Sequence, residues 1–541
     1  MIVAEGGVGR ASLLLASGTL VSRLLGFAKA IVLALAIGQV ASSAGNAFAI
    51  ANQLPNNIYA LIAGGVLSAV LVPQIVRASR ETDGGSAFIN RILTLGIVVF
   101  IVAAVIATVA APIIVSLYVR EDKIAEETLA LAIVFAYWCL PQVLFYAIYS
   151  LLGEVLNARR VYGPFTWAPV VNNVVAMAGL VVFMLVYGTA AEFRDTAAWD
   201  GGAIALLAGT TTAGVAAQAA FLALFWRRAG LGFRPDFRWR GVGLGRAGKA
   251  AGWMFAMVVT SQVAAVLQTN TASIAADEAA SSLALQNSWL VFMLPHSIVA
   301  VSLITVYYTR MSGHVHAGDD RALRDDVSQS LRTILLVIVF AMVGLMVLAY
   351  PFARFFEVEP ENAADMAHVM LAYLPGLAAF STLAVLQRVL YAREETRTAF
   401  WLQAVQSGIV VTSALVCSLL PVDWIAIGIA TGTTIAGVTQ AVLAVLVVRR
   451  RIGGIDGRRV LARTLVYLAG ALLAGAVGLL IVTSMGGYDM DGWAMDALPH
   501  AALTMLAGGS AMAAVYGVLL LLGRDPEVRG LVITVRRRLG R

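Results

Sequence analysis

Arg23 and Lys29 sit where charge is expensive, in the stretch Leu20-Val21-Ser22-Arg23-Leu24-Leu25-Gly26-Phe27-Ala28-Lys29. From Ala11 to Ile37 the chain is almost wholly apolar and long enough, as a helix, to cross a hydrocarbon core that needs roughly 20 residues. Arg23 falls near the middle of this run. A mid-span arginine costs about 2.5 to 3.5 kcal/mol even on the mildest insertion scale, so it calls for a watery cavity or an anionic partner. Its planar fork can hold a carboxylate or phosphate bidentately, which a lysine cannot do. Lys29, six residues on, lies about 120° round the same helix. It either lines the same cavity wall or snorkels to the surface from near the end of the span.

The elements that must position these cations are membrane helices. Of 541 residues, 60% are hydrophobic and only 13% charged, and the mean hydropathy is +0.85. That is far outside the range of a soluble domain. Apolar runs of spanning length occur at about residues 12 to 38, 46 to 76, 90 to 118, 128 to 156, 165 to 188, 202 to 226 and 250 to 275. Further runs follow at about 281 to 309, 330 to 353, 366 to 391, 399 to 421, 424 to 448, 462 to 485 and 499 to 523. The expected fold is an all-α polytopic membrane protein with about 14 transmembrane helices. The first run carries a central charge and exceeds a signal-peptide core, so it reads as a retained span.

Charge alternates along the connections. Basic ones carry Arg77, Arg80 and Arg91, then Arg159 and Arg160, then the arginines from Arg227 to Arg246 with Lys249, then Arg310, Arg321 and Arg324. Arg393 and Arg397 follow, then Arg449 to Arg463, and last Arg536, Arg537, Arg538 and Arg541. The other connections are acidic or neutral, with Glu192 and Asp195, Asp277 and Glu278, Glu357 to Glu361, and Asp489 to Asp496. By the positive-inside rule both termini are cytoplasmic. The formal charge of +7 is thereby accounted for by membrane topology, and no nucleic-acid partner is expected. Cys139 and Cys417 both lie in apolar runs, which argues against a disulfide framework.

The chain also echoes itself at an offset near 240 residues. Leu54-Pro55-Asn56-Asn57-Ile58 answers Leu294-Pro295-His296-Ser297-Ile298. The stretch from Leu151 to Arg159 answers that from Leu386 to Arg393, placing Glu154 and Arg388 in equivalent positions. An even number of spans per repeat makes the repeats parallel, about an axis along the membrane normal. The expected domains are an N-lobe at 1–226 (spans 1–6), a basic cytoplasmic linker at 227–249, a C-lobe at 250–451 (spans 7–12), a C-terminal helix pair at 452–523, and a basic cytoplasmic tail at 524–541. Two six-helix lobes in parallel pseudo-twofold repeat are the layout of an alternating-access transporter. Glu154 and Arg388 are either a gate pair or interfacial charges reaching water.

Several of these pieces resemble one family. Ser22-Arg23-Leu24-Leu25-Gly26-Phe27, Leu54-Pro55-Asn56, Leu156-Asn157-Ala158-Arg159 with Pro164-Phe165 and Ala168-Pro169, and the turn Tyr391-Ala392-Arg393-Glu394-Glu395-Thr396-Arg397-Thr398 are similar to the MurJ (MviN) lipid II flippases of the multidrug/oligosaccharidyl-lipid/polysaccharide exporter superfamily. The resemblance implies transport of the undecaprenyl-diphosphate-linked peptidoglycan precursor (lipid II) from the inner to the outer leaflet of the bacterial cytoplasmic membrane. It also implies a groove for the lipid tail in the last two spans. Arg23 aligns with the family's first-span arginine. The implied partners are lipid II, membrane lipids and, as a further candidate, the cell-wall synthesis machinery. No cofactor is expected, and a coupling ion is left open.

The sequence departs from the family at Tyr59, Leu290 and Asn46, where two cations and an acid are common, and at Gln53, where a lysine is common. Head-group binding then falls to Arg23, Lys29, Gln53, Asn56, Gln262, Asn270, Gln286 and Asn287. Each amide could equally be an interhelical hydrogen-bond partner. The alternative function is a multidrug or other lipid-linked oligosaccharide exporter of the same superfamily, coupled through buried carboxylates; no aspartate lies deep in the first six spans. An enzyme is disfavoured, since no metal-ligand cluster, phosphate-binding glycine loop or nucleophile constellation occurs. The charge alternation predicts that single cysteines at Gly230 and Gly487 are labelled from opposite sides of the membrane. Labelling of both by an impermeant reagent applied outside would refute the span count.

Overall fold

The computed structural model describes residues 5–63, 85–159, 161, 163–238, 248–525 and 527–528. The second half of span 2, Arg77, Arg80, Arg160, Arg240, Arg246 and the tail arginines Arg536, Arg537, Arg538 and Arg541 lie outside them. The described spans are helical, because hydrocarbon offers no water to backbone N–H and C=O groups and a helix satisfies them within one segment. Thirteen described helices are long and apolar enough to cross a membrane. The other expected span is the second, of which Ser43–Ala63 is described as helix.

The helices are α1 Glu5–Ile37, α2 Ser43–Ala63, α3 Ser86–Val109, α4 Ala111–Tyr118, α5 Glu126–Cys139, α6 Gln142–Ala158, α7 Gly163–Tyr187, α8 Gly201–Ala223 and α9 Gly248–Ala272. They continue with α10 Ser282–Pro295, α11 Val301–Ala317, α12 Asp320–Val347, α13 Pro360–Tyr373, α14 Leu377–Ala392, α15 Thr396–Cys417, α16 Val422–Arg451, α17 Gly457–Ser484 and α18 Leu498–Leu522.

Spans 4 and 10 are each two helices, α5 with α6 and α13 with α14, broken at Leu140-Pro141 and Leu374-Pro375. Proline lacks an N–H and cannot continue the ladder there. The two breaks lie at equivalent places in the two halves. The neighbours repeat as well. In the first half α3 packs on α6, and α6 and α7 both pack on α8; in the second α12 packs on α14, and α14 and α15 both pack on α16. Cys139 and Cys417 are both free and buried.

Contacts divide the chain into two compact units, Met1–Leu283 and Ala284–Arg541. The division does not fall in the 227–249 linker. Span 7, expected to open the C-lobe, packs in the first unit on α2 and α4. Polar ties explain why. The buried Asn46 side-chain amide donates to the Ala276 carbonyl (2.7 Å) and accepts from the Leu283 N–H (3.3 Å). Asn270 donates to the Val119 carbonyl (2.6 Å), and the Arg120 N–H donates to Ser273 Oγ (2.8 Å).

The last two spans form the expected pair. α17 lies against both α12 and α18, while Leu472, Leu480, Leu506 and Leu522 on the pair remain exposed. Both ends are tied down within the second unit. Arg332 of α12 pairs with Glu527 at 2.8 Å, and Arg463 of α17 with Asp525 at 3.2 Å. At the other end the buried Arg354 guanidinium donates to the carbonyls of Met495 (2.7 Å), Val358 (2.6 Å), Asp496 (3.3 Å) and Glu357.

Close helix approach depends on small residues, since helices in lipid associate by packing rather than by escape from water. Gly214 of α8 faces α7 so tightly that a Cβ there would stand 2.9 Å from the Asn172 carbonyl oxygen. Backbone cannot yield as a side chain can. Gly214→Leu should therefore push α7 from α8, at about 1–3 kcal/mol or more for overpacking. The check is loss of monodisperse protein on size exclusion or a clearly lowered melting temperature, with Gly230→Leu unsuitable as control because its φ of 74° itself requires glycine and Gly252→Leu, which meets open space, serving instead.

Candidate functional site

In the first unit the cations stand on α1, whose contact with α7 is made by its smallest side chains. Asn173 of α7 donates to the Ser22 carbonyl at 2.9 Å, and Gly26 lets the same amide approach. Arg23 is exposed. Among the described residues it makes no hydrogen bond or ion pair. Lys29 lies seven residues after Ser22, close to two helical turns, so it shares the α7-facing side. It is half-buried and likewise has no partner among the described residues. The contrast with Arg332, Arg354 and Arg463, all held by carboxylates or carbonyls, is sharp. An unpaired guanidinium at mid-span does nothing for folding, and leaves its five donors available to an anion.

The candidate amides separate into two groups. Asn56 of α2 is exposed and Gln53 half-buried. Gln262 of α9 donates to the Asn57 carbonyl at 3.3 Å, and Asn270 donates to Val119 as described, so both amides join helices. Asn57, one residue on from the candidate Asn56, is buried and donates to the Tyr118 hydroxyl at 3.1 Å. In the second unit Gln286 is half-buried and Asn287 buried on α10. Glu154 is half-buried near the end of α6 in the first unit. Arg388, its counterpart on α14 in the second, is exposed with its guanidinium over the Tyr308 ring at 5.4 Å.

Two charged clusters hold pairings that the sequence did not give. Asp326 of α12, 2% exposed, receives Arg310 at 2.5 Å and lies 3.2 Å from the His314 ring. The only advance signal was an aspartate spaced to face a helix end with a basic last turn. The turn after span 10 forms the second cluster. Arg393 pairs with Asp320 (2.5 Å) and donates to the Arg451 carbonyl (3.1 Å), while Glu395 pairs with Arg451 (3.3 Å) and accepts from Thr398 (3.1 Å). The motif from Tyr391 to Thr398 thus ties the basic ends of spans 9, 10, 11 and 12 together.

Among the described residues no group of His, Cys, Asp and Glu could hold a metal. What the geometry defines is a duplicated, many-spanned α-helical membrane protein with unpaired basic residues in its first span. Residues 33–493 match the family Lipid II flippase MurJ. The chain belongs to that family. Arg23 and Lys29 lie before the matched stretch.

The chain is 28% identical over 452 residues to a probable lipid II flippase MurJ of Haemophilus influenzae, covering 79% of this chain and 83% of that one. It is 24% identical over 445 residues to the Rickettsia prowazekii protein described in the same words, covering 79% and 81%. Among solved structures, a lipid II flippase MurJ in an inward closed conformation superposes with a TM-score of 0.74 at 19% identity, covering 95% of this chain and 99% of that one. An inward-facing multidrug resistance MATE transporter of the MOP superfamily gives 0.60 at 16% identity, covering 81% and 96%. These structures carry the fold alone.

Asn46 is a structural clasp, joining α2 to the Ala276 carbonyl and the Leu283 N–H. Asn46→Ala should leave the buried Ala276 carbonyl and Leu283 N–H unpaired, at about 1–3 kcal/mol each. A lowered melting temperature and faster proteolysis between α9 and α10 are the expected readouts, and unchanged values would show that the clasp contributes nothing.

Proposed function

We propose that the chain carries lipid II from the cytoplasmic to the outer leaflet of the bacterial cytoplasmic membrane by alternating access, with its basic ends in the cytoplasm. The observation that carries this reading is the pair of unpartnered cations, Arg23 and Lys29, on the first span. A diphosphate head group drawn into the membrane must exchange water for donors, and charge-assisted hydrogen bonds are the strongest available. Retaining a mid-span cation at a cost of about 2.5–3.5 kcal/mol needs a return that folding does not supply. Family membership supports lipid II as the cargo. The exposed Asn56 and half-buried Gln53 on α2 are the proposed polar contributors from the same unit.

In this proposal the protein moves its substrate without converting it. Relief of the phosphate's desolvation is the task of Arg23, by bidentate grip, with Lys29 as a second point charge. Entry and release follow from the two lobes opening alternately to either face. The proposed tail site is the α17–α18 pair, whose exposed leucines suit an isoprenoid chain.

Export of lipid II to the outer leaflet, measured in cells whose only copy is the variant, should fall in the order wild type, Arg23→Lys, Arg23→Ala. The alanine variant should be close to inactive with unchanged membrane levels and an unchanged melting temperature. Normal export and growth with Arg23→Ala would overturn the assignment.

A further inference from the structure

The first unit holds a cavity of about 470 Å³ that takes no part in the proposed transport step. It lies between the first half of α3, the second half of α6 and the end of α8, and is lined by Ile97, Leu151, Leu152, Trp226, Arg227 and Phe233 among others. Its size falls within the roughly 300–1,000 Å³ of small-molecule sites. All of these ends are the basic ends of their spans, so the cavity sits at the membrane interface that the charge alternation assigns to the cytoplasm.

The chain closes the cavity by doubling back. α8 ends in a turn over Arg227–Ala229, and Gly230, with φ at 74°, reverses the direction as only a glycine does without strain. Residues 231–238 then run along α3 and are pinned to it. The Arg234 N–H donates to Asn90 (3.3 Å), the Asp236 N–H to Thr94 (2.9 Å), and Arg91 pairs with the Asp236 carboxylate (3.1 Å). Arg238 pairs with the same carboxylate at 2.9 Å. These contacts, Arg238 first, hold that carboxyl well below the usual range.

Asp236 is the only acid between Trp226 and Lys249, and two arginines already occupy it. The described part of this segment, with Arg227, Arg228, Arg234 and Arg238, therefore carries more positive charge than its own acid can balance. Arg227 lines the cavity with no partner among the described residues, and Arg228 lies beside it over the Phe225 ring at 5.1 Å. The N–H groups of Gly232 and Phe233, at the same rim, also have no acceptor among the described residues. An apolar floor below a rim of cations and free amide donors matches one ligand chemistry at this depth: an acyl chain joined to a phosphate. A soluble anion would leave the leucine, isoleucine and tryptophan walls unfilled, and a peptide helix, about 10–12 Å across with its side chains, exceeds the space.

We propose that this cavity binds an anionic phospholipid, with an acyl chain against α3, α6 and Trp226 and the phosphate held by Arg227, Arg228 and the 232–233 amides. The site is separate from Arg23 and goes beyond the transport reading, since lipid binding here is measured without transport.

The full chain is reconstituted in phosphatidylcholine vesicles containing either brominated phosphatidylglycerol or brominated phosphatidylcholine at equal mole fraction. Trp226→Phe removes the indole but keeps an aromatic, apolar side chain, and the difference between wild type and this variant isolates Trp226 from the other tryptophans. Several-fold stronger quenching of Trp226 by the brominated anionic lipid is expected. Arg227→Ala with Arg228→Ala, both outside the core, should equalise the two lipids, and Ile97→Phe should weaken both by filling the floor. Equal quenching in the wild type would mean annular lipid only. Loss of the preference on adding inorganic phosphate would mean a free-anion site. Either result overturns the proposal.

Discussion

Hydrocarbon will not solvate a polar group, and the placement of nearly every polar side chain in this protein follows from that. Hydroxyls within the spans turn back on their own helices, as Thr94 to the Asn90 carbonyl, Thr260 to Ala256 and Thr382 to Ala378 do. Where proline interrupts the ladder, something else compensates. After Pro295 the helix widens into a π-turn over His296–Ala300, and the buried His296 ring bonds to Ser381 at 2.9 Å. Asn46, Asn57, Gln262 and Asn270 spend their amides on carbonyls or hydroxyls of neighbouring helices.

Against this rule the arginines divide into two kinds. Arg332, Arg354, Arg393 and Arg463 stand near span ends, each engaged by carboxylates or carbonyls, and each ties one helix or loop to another. Removing Arg332 or Arg463 would strand a buried carboxylate. Arg23 ties nothing to anything among the described residues, and Arg227 lines an apolar cavity without an acid. The paired arginines thus serve architecture, and it is to the two without such partners that the proposals above give recognition.

Duplication gives the two halves the same internal packing, with breaks at Leu140-Pro141 and Leu374-Pro375 and small residues where the fifth span of each half meets the sixth. Gly179 of α7 faces Thr210, and Gly432 of α16 faces Ser413. Span 7 is the exception. Its polar contacts with α2, α4 and the turn after span 1 place it in the first unit, so the boundary between compact units and the boundary between repeats differ. The 227–249 connection is correspondingly more than a linker, since its first part is bonded along α3 as a wall.

The sequence alone determined what depends on local composition. The number and bounds of most spans, the alternation of basic and acidic ends, the duplicated proline motifs and the helix pair at 462–523 were all legible, because a span's hydropathy and a loop's charge need no partner to be read. The cost of Arg23 was legible for the same reason. What required the tertiary structure was which polar group meets which. Asn270 and Gln262 could bind a ligand or a neighbouring helix with the same amide, and only the position of Val119 and Asn57 decides. The motif from Arg393 to Thr398 stood out as a string, but its work depends on Asp320 and Arg451, which are far away in sequence. Hydrogen bonds are directional and short, so their partners are set by how helices pack and not by the composition of either helix.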